Sequence, residues 1–173
     1  MWNVRSLHRA GSLTTAAREL ARYKLDLVGV QEVRWDKGGT VRVGDYNFFN
    51  GKGYKNHKFG TEFCIQHRII SAVKTAEFVS NRVLYIVLRG HWCTIIVLNV
   101  HAPSQEKSDD SIDSSYEESE QVFNHLPNYH TKILLGDFNA KVGRDNIFKL
   151  TTGNESLHQG SNDNGVRIVN SAI

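Results

Sequence analysis

Lys132-Ile133-Leu134-Leu135-Gly136-Asp137-Phe138-Asn139 is a short apolar run that stops on a glycine, a carboxylate and a carboxamide. Residues 133–135 show no polar alternation, the pattern of a strand buried on both faces. Asp137 and Asn139 fall where such a strand leaves its sheet. In open α/β sheets, ligands bind outside the carboxyl ends of the strands. A carboxylate at 137 and an amide that donates and accepts at 139 suit the alignment of a water and a phosphate oxygen. The same residues also make an ordinary Asp-Asn turn, and this stretch alone does not choose between the two.

Working outward, Ile112, Tyr116, Phe123 and Leu126 recur at helical spacing up to Pro127, after a polar loop over residues 103–111. Before it, residues 59–66, 72–79, 83–89 and 92–102 read as four strands separated by Ser80-Asn81 and Gly90-His91. The chain opens with a strand over residues 1–4 and a helix capped by Ser12 with Leu13, Ala16, Ala17 and Leu20 on one face. A second buried strand, residues 26–32, has Leu27-Val28-Gly29-Val30 as its core and ends in Gln31-Glu32. Strand, helix, strand implies a parallel pair with a helical crossover. Residues 36–44 are glycine-rich and charged, a loop or tight hairpin, and 45–50 are strand-like. Downstream, 140–150 is loop-like and 165–173 begins a last helix. Meandering strands after an αβ opening predict a mixed sheet or two packed sheets. No repeat or long linker divides the chain, so one domain over 1–173 is expected.

The totals fit that size. The 173 residues are 40% hydrophobic with 2 prolines, ordinary for a globular protein. Apolar runs are too short to cross a bilayer, and no secretory signal precedes Trp2-Asn3-Val4-Arg5. Cys64 and Cys93 lie in apolar strand-like runs and read as reduced, buried thiols of an intracellular protein. His91 and Cys93 share a strand face, but two ligands make no zinc site. Charge is uneven. Residues 106–120 hold seven acids and one lysine, so of the total of +3 the rest of the chain carries +9. A basic body is compatible with a polyanionic partner. Lys52, Lys55 and Lys58, with Tyr54 and His57 between them, could grip a phosphate backbone or form a solvated loop.

Four polar clusters end apolar strands: Asn3, Gln31-Glu32, Asn99-Val100-His101-Ala102-Pro103 and Asp137/Asn139. By alternation Asn99 and His101 share a face. Together, Trp2-Asn3-Val4, Gln31-Glu32, Asn99-Val100-His101-Ala102-Pro103 and Gly136-Asp137-Phe138-Asn139 resemble the ordered motifs of the endonuclease/exonuclease/phosphatase superfamily, the fold of DNase I and of apurinic/apyrimidinic endonucleases. Trp2-Asn3-Val4-Arg5-Ser6-Leu7, Val30-Gln31-Glu32-Val33-Arg34-Trp35 and Gly136-Asp137-Phe138-Asn139-Ala140-Lys141-Val142-Gly143 are most similar to endonuclease domains of RTE/BovB-type non-LTR retrotransposons.

The resemblance implies an α/β (α+β) fold, a DNase I-like four-layer sandwich of two mixed β-sheets with outer helices. It implies that Glu32 ligates a catalytic Mg²⁺ (Mn²⁺ as a substitute), a hard cation suited to carboxylate oxygen and water. Asn3 would orient that site, Asp137 would position or deprotonate the attacking water, and Asn139 would hold the scissile phosphate. His101 falls where the family places a phosphate-contacting His or Tyr. The implied reaction is hydrolysis of a DNA phosphodiester, with double-stranded DNA as partner and a nuclear setting, inside a larger retrotransposon-derived polypeptide. Arg5, Arg9, Lys52, Lys55 and Lys58 are backbone-contact candidates on charge alone.

The pattern departs from the family in three places. No Ser-Asp-His occurs, and after Asn139 the only histidine is His158. The expectation is a domain that stops before the family's last strands and starts inside its first. Loss of that general acid–base group costs roughly 10²–10⁴ in rate, so the alternative is an inactive remnant that binds or scaffolds. A phosphatase of small esters fits the basic body less well. Finally, Glu62 stands where the resembling domains favour a small residue, and an inward, unpaired carboxylate there is costly.

Overall fold

The computed structural model describes residues 1–4, 6, 7, 9, 11–33, 39–50, 60–104, 108–144 and 156–170. The elements in order are β1 (Trp2–Asn3), α1 (Ser12–Arg22), β2 (Leu27–Gln31), β3 (Gly39–Val43), β4 (Tyr46–Asn50), β5 (Thr61–Gln66), a 3-10 helix (His67–Ala72), β6 (Val73–Phe78), β7 (Val83–Arg89), β8 (Thr94–His101), α2 (Asp109–His125), β9 (Thr131–Asp137) and α3 (Asp163–Asn170). By its contacts the chain divides into two units, residues 1–101 with 128–136, and residues 102–127 with 137–173. Among the described residues no helix is long and apolar enough to cross a membrane.

In the first unit one sheet has the order β1-β2-β5-β4-β3 and a second the order β6-β7-β8-β9. The expected parallel pair is there: Trp2 lies opposite Val30 and Asn3 opposite Gln31, with α1 as the crossover. The other pairs of the first sheet are antiparallel. In the second sheet β6, β7 and β8 are antiparallel. Cys93 Sγ lies 3.6 Å from Thr131 Oγ1 where β8 and β9 begin, and the Ala102 N–H donates to the Asp137 carbonyl where they end. The last pair is therefore parallel, and both sheets are mixed.

Strand alternation sorts the side chains of β5 into two cores. Phe63 and Ile65 face the second sheet and pack with Leu84, Ile86 and Val97. Cys64 faces the other way, into a core of Ala16, Ala17 and Leu20 from α1 with Val28, Val30, Tyr46 and Phe48. Each such side chain contributes about 1.5–3 kcal/mol on burial. Gly29 keeps the sheets close. A Cβ there would lie 2.9 Å from Asn99 Cγ, so the Asn99 amide fills the space a side chain would take. In the second unit Ile112 on α2 and Val169 on α3 are buried, and the Arg167 guanidinium meets the Asp113 carboxylate at 2.8 Å.

One of the two readings of residues 36–44 holds: residues 39–43 form strand β3, which turns back onto β4 as a tight hairpin. Several expectations are corrected. Ser12 does not cap α1. Gly11 takes that position with φ 82, and the Ser12 hydroxyl is within 2.6 Å of both the Leu7 and the Arg9 carbonyl, binding the helix to the loop before it. β9 is not buried on both faces. It is last in the order of its sheet, and Ile133 and Leu134 are exposed. Cys93 is exposed because β8 begins one residue after it, while Cys64 is buried as expected.

Candidate active site

The polar residues at the strand ends are not loose turn groups. In the first unit Gln31 is fully buried, and its amide donates to the Val100 carbonyl at 2.7 Å and to Asn99 Oδ1 at 3.3 Å. Asn99 in turn donates to the Glu62 carbonyl at 2.9 Å. This chain of amides locks the end of β2 to the end of β8. Hydrogen-bonded buried amides rigidify the elements they join, although Gln31 Oε1 has no partner among the described residues. Glu32 follows directly, and its backbone is left-handed with φ 57. That conformation costs a non-glycine residue roughly 1–2 kcal/mol, and strain of this kind clusters at functional positions. Its Oε1 accepts a hydrogen bond from Asn3 Nδ2 at 2.8 Å. His101 ends β8 nearly buried, its N–H donating to the Arg82 carbonyl at 2.9 Å and its own carbonyl accepting from Arg82 at 3.2 Å. A cleft of about 530 Å³ lined by Trp2, Asn3, Arg9 and Ser12 opens beside Asn3.

In the second unit Asp137 and Asn139 form a tight turn. Asp137 Oδ1 accepts the Asn139 N–H at 3.1 Å, Asn139 is left-handed with φ 48, and its Nδ2 donates to the Ala102 carbonyl at 2.9 Å. Asparagine tolerates that conformation better than most residues. Three side chains that sequence reasoning missed hold the turn. The Tyr116 hydroxyl donates to the Phe138 carbonyl at 3.1 Å. Burial pushes the Tyr116 pKa up to about 12, against a smaller lowering by Arg167, so it stays a donor at any ordinary pH. Asn162 Nδ2 donates to the Asn139 carbonyl at 3.2 Å, and its Oδ1 accepts the N–H groups of Lys141 and Gly165, each at 2.8 Å. That second bond caps α3. Asn164, fully buried, donates to the Phe138 carbonyl at 3.3 Å. The only sequence signal was a polar run ahead of a helix, which does not reveal its targets.

Of the backbone-contact candidates, Arg9 lines the cleft beside Asn3. Arg5, Lys52, Lys55 and Lys58 lie outside the described residues. Glu62 is where an unpaired carboxylate is most costly. It is 1% exposed, neither carboxyl oxygen has a hydrogen-bond partner among the described residues, and burial pushes its pKa up to about 8.

Among the described residues no group of three or more His, Cys, Asp or Glu is placed to hold a metal ion. A cage of protein ligands of the zinc type is therefore absent from them. Mg²⁺ needs less, because it retains several waters and is held through one or two carboxylates. Glu32 and Asn3 supply one carboxylate and one amide oxygen in a fixed relation. That hard-oxygen donor set fits a hydrated Mg²⁺.

Similar proteins are longer chains. Craniofacial development protein 2 of Bos taurus is 24% identical over 150 residues, 87% of this chain and 25% of its own length. The protein of the same name from Tragulus javanicus is also 24% identical, with 26% of its length covered. The chain thus spans about a quarter of the curated relatives it matches. Among solved structures, the endonuclease domain of TRAS1, a telomere-specific non-LTR retrotransposon, superposes with TM-score 0.62 at 15% identity, covering 98% of this chain and 67% of that one. The AP endonuclease LMAP from Leishmania major gives TM-score 0.64 at 15% identity, covering 98% and 64%. D. rerio TDP2 complexed with a single-strand DNA product gives 0.58 at 19% identity, covering 80% and 58%. At these identities the likeness shows a shared fold, the α/β arrangement of two mixed sheets with helices that the motifs implied. A family model matches residues 2–168, nearly the whole sequence, and the chain belongs to the Endonuclease/Exonuclease/phosphatase family.

Proposed function

We propose that this chain is a divalent-metal-dependent domain that hydrolyses DNA phosphodiester bonds, in the manner of a retrotransposon-type nickase. The observation that carries the reading is Glu32, a carboxylate held in left-handed backbone by a buried amide network and hydrogen-bonded to Asn3 at 2.8 Å. The family is generally divalent-metal dependent. Glu32 and Asn3 would hold the ion, Mg²⁺ or Mn²⁺, which when bound supplies a hard Lewis acid against the phosphate charge. Asp137 takes the proton of the attacking water. Its Oδ1 is engaged by the Asn139 N–H, which fixes the carboxylate and presents Oδ2 as the base. Asn139 spends one amide hydrogen on Ala102 and keeps a second for a phosphate oxygen. His101, at the end of β8, would contact phosphate. A water oxygen–phosphorus bond forms, the bond to the 3′ oxygen breaks, and that oxygen takes a proton from solvent and leaves as a 3′-hydroxyl, the water oxygen staying on the 5′-phosphate.

A specific observation favours a second reading, in which the domain binds DNA and cleaves it slowly or not at all. Among the described residues no group of three or more His, Cys, Asp or Glu is placed to hold a metal ion, and His158 is exposed on a segment bridged to Gly143. The TDP2 neighbour holds a DNA product, which supports nucleic acid as ligand under either reading. The experiment is nicking of supercoiled plasmid with Mg²⁺, with EDTA, and with Glu32→Ala. The first reading predicts nicking that both EDTA and the substitution abolish. Salt-sensitive plasmid binding with nicking no higher than the variant's background would establish the second.

A further inference from the structure

The end of the second sheet remote from Glu32 carries a feature that the proposed chemistry does not use. Gln31 bonds to Val100, so the candidate active site lies where β8 ends. β8 begins at Thr94, six residues before Val100 along the strand, or about 20 Å at the usual rise. There the β7–β8 turn projects Trp92, which is 92% exposed, and the segment before β9 projects Tyr129, which is 81% exposed. The two are not scattered surface aromatics. Cys93 Sγ lies 3.6 Å from Thr131 Oγ1, which brings the two segments together. Each ring is held edge-on by a neighbouring histidine, His91 and His130, with centroids 4.3 Å apart in both pairs.

Cations gather at this end of the sheet. Lys74 Nζ donates to Thr94 Oγ1 at 3.3 Å, so its ammonium sits at the start of β8. Arg89 pairs in register with Thr94, and Lys132 follows Thr131 on β9. Residues 73–76, 88–95 and 128–133 contain no aspartate or glutamate. Two exposed aromatic faces beside the cations Lys74 and Arg89 form the kind of surface that recognises a flexible polyanion with planar groups. Cations track the phosphates, and bases stack on the rings in a sequence-tolerant way. Duplex DNA buries its bases and cannot use the rings.

We propose that Trp92 and Tyr129, with Lys74, Arg89 and Lys132, form a second nucleic-acid surface that binds a single strand, separate from the candidate active site. The inference goes beyond the nickase reading and stands without it.

The test uses the whole chain and a fluorescein-labelled oligo(dT) followed by anisotropy at several salt concentrations. Trp92→Ala with Tyr129→Ala is expected to weaken binding at least tenfold. Trp92→Phe, which keeps a stacking face, recovers most of the loss at that position. Lys74→Glu with Arg89→Glu weakens binding by a similar factor and flattens its salt dependence. Glu32→Gln leaves oligo(dT) binding within twofold, whether or not the chain nicks plasmid, so failure here and failure of the nickase reading are distinguishable. Thermal unfolding of each variant checks that these exposed substitutions leave the fold intact. Oligo(dT) affinity unchanged in the aromatic and charge variants overturns the proposal. So does preference for duplex over single strand at this face, or loss only of binding to vesicles of zwitterionic and anionic lipid.

Discussion

Replacing Glu62 by glutamine is expected to remove a large pH dependence from stability. Glu62 is the second residue of β5, on the face it shares with Cys64 against α1, fully buried and with no partner for either oxygen among the described residues. Burial raises its pKa from 4.5 to about 8. The sign follows from the two states. Between those values the folded protein holds the proton and the unfolded chain has lost it, so stability falls as pH rises. It is greatest at and below pH 4.5, falls through neutrality, and levels off above about pH 8. A shift of this size amounts to roughly 3–4 kcal/mol between pH 5 and pH 8. That is a large part of the 5–15 kcal/mol typical of a domain. Glutamine has the same shape and does not titrate. At pH 5 the two proteins should unfold within about 1 kcal/mol of each other. At pH 8 the variant should be more stable by roughly 3 kcal/mol, a urea midpoint about 1–3 M higher. The assay is urea unfolding at pH 5, 6, 7 and 8, read as the difference between the two proteins so that other titrating groups cancel. The Cys64 thiol, pushed well up by burial and further by Glu62, stays neutral throughout this range. Parallel stability profiles for the two proteins would refute the placement of an unpartnered carboxyl in this core.

Other perturbations follow from the same geometry. Glu32→Gly and Glu32→Ala both remove the carboxylate, yet the glycine variant should be more stable by about 0.5–1 kcal/mol by denaturant unfolding, because only alanine keeps the left-handed strain. Gly29→Ala should destabilise by about 1–3 kcal/mol, since the new methyl meets the Asn99 side chain, and a neutral result by calorimetry would mean the sheets part more easily than the amide network implies. Asn162→Ala should cost about 1–2 kcal/mol through the α3 cap and speed hydrogen exchange at the Lys141 and Gly165 amides, which its Oδ1 accepts. Tyr116→Phe should cost about 1 kcal/mol with no change across pH 6–9, because its hydroxyl ionises in neither the folded nor the unfolded state there.

Much of the first unit follows from periodicity. The parallel β1–β2 pair and its crossover helix can be read from Leu13, Ala16, Ala17 and Leu20 between two apolar runs, and the strand meander from turn residues at regular intervals. What periodicity cannot supply is partner choice. Gln31 reads as a strand-end residue, and only the fold shows its amide spanning to Val100 and Asn99. Ile133 and Leu134 look like core residues because an apolar run does not state its position in a sheet, and β9 lies last in the order of its own. Ser12 has the right residue type to cap α1, but Gly11 reaches the left-handed capping geometry and releases the hydroxyl to the loop. The Asp137-Phe138-Asn139 turn was visible as a motif, while the side chains that hold it, Tyr116, Asn162 and Asn164, come from two helices distant in sequence.

The most direct measurement is nuclear magnetic resonance of the isotope-labelled chain titrated with substoichiometric Mn²⁺, whose unpaired electrons broaden nearby amide signals. If Glu32 and Asn3 hold one hydrated cation, the amides of both should broaden, Mg²⁺ should reverse the effect, and Glu32→Gln should abolish it at both. Amides of Asn3 and Glu32 that stay sharp, or broadening that survives Glu32→Gln, would contradict Glu32 as the carboxylate of the metal site.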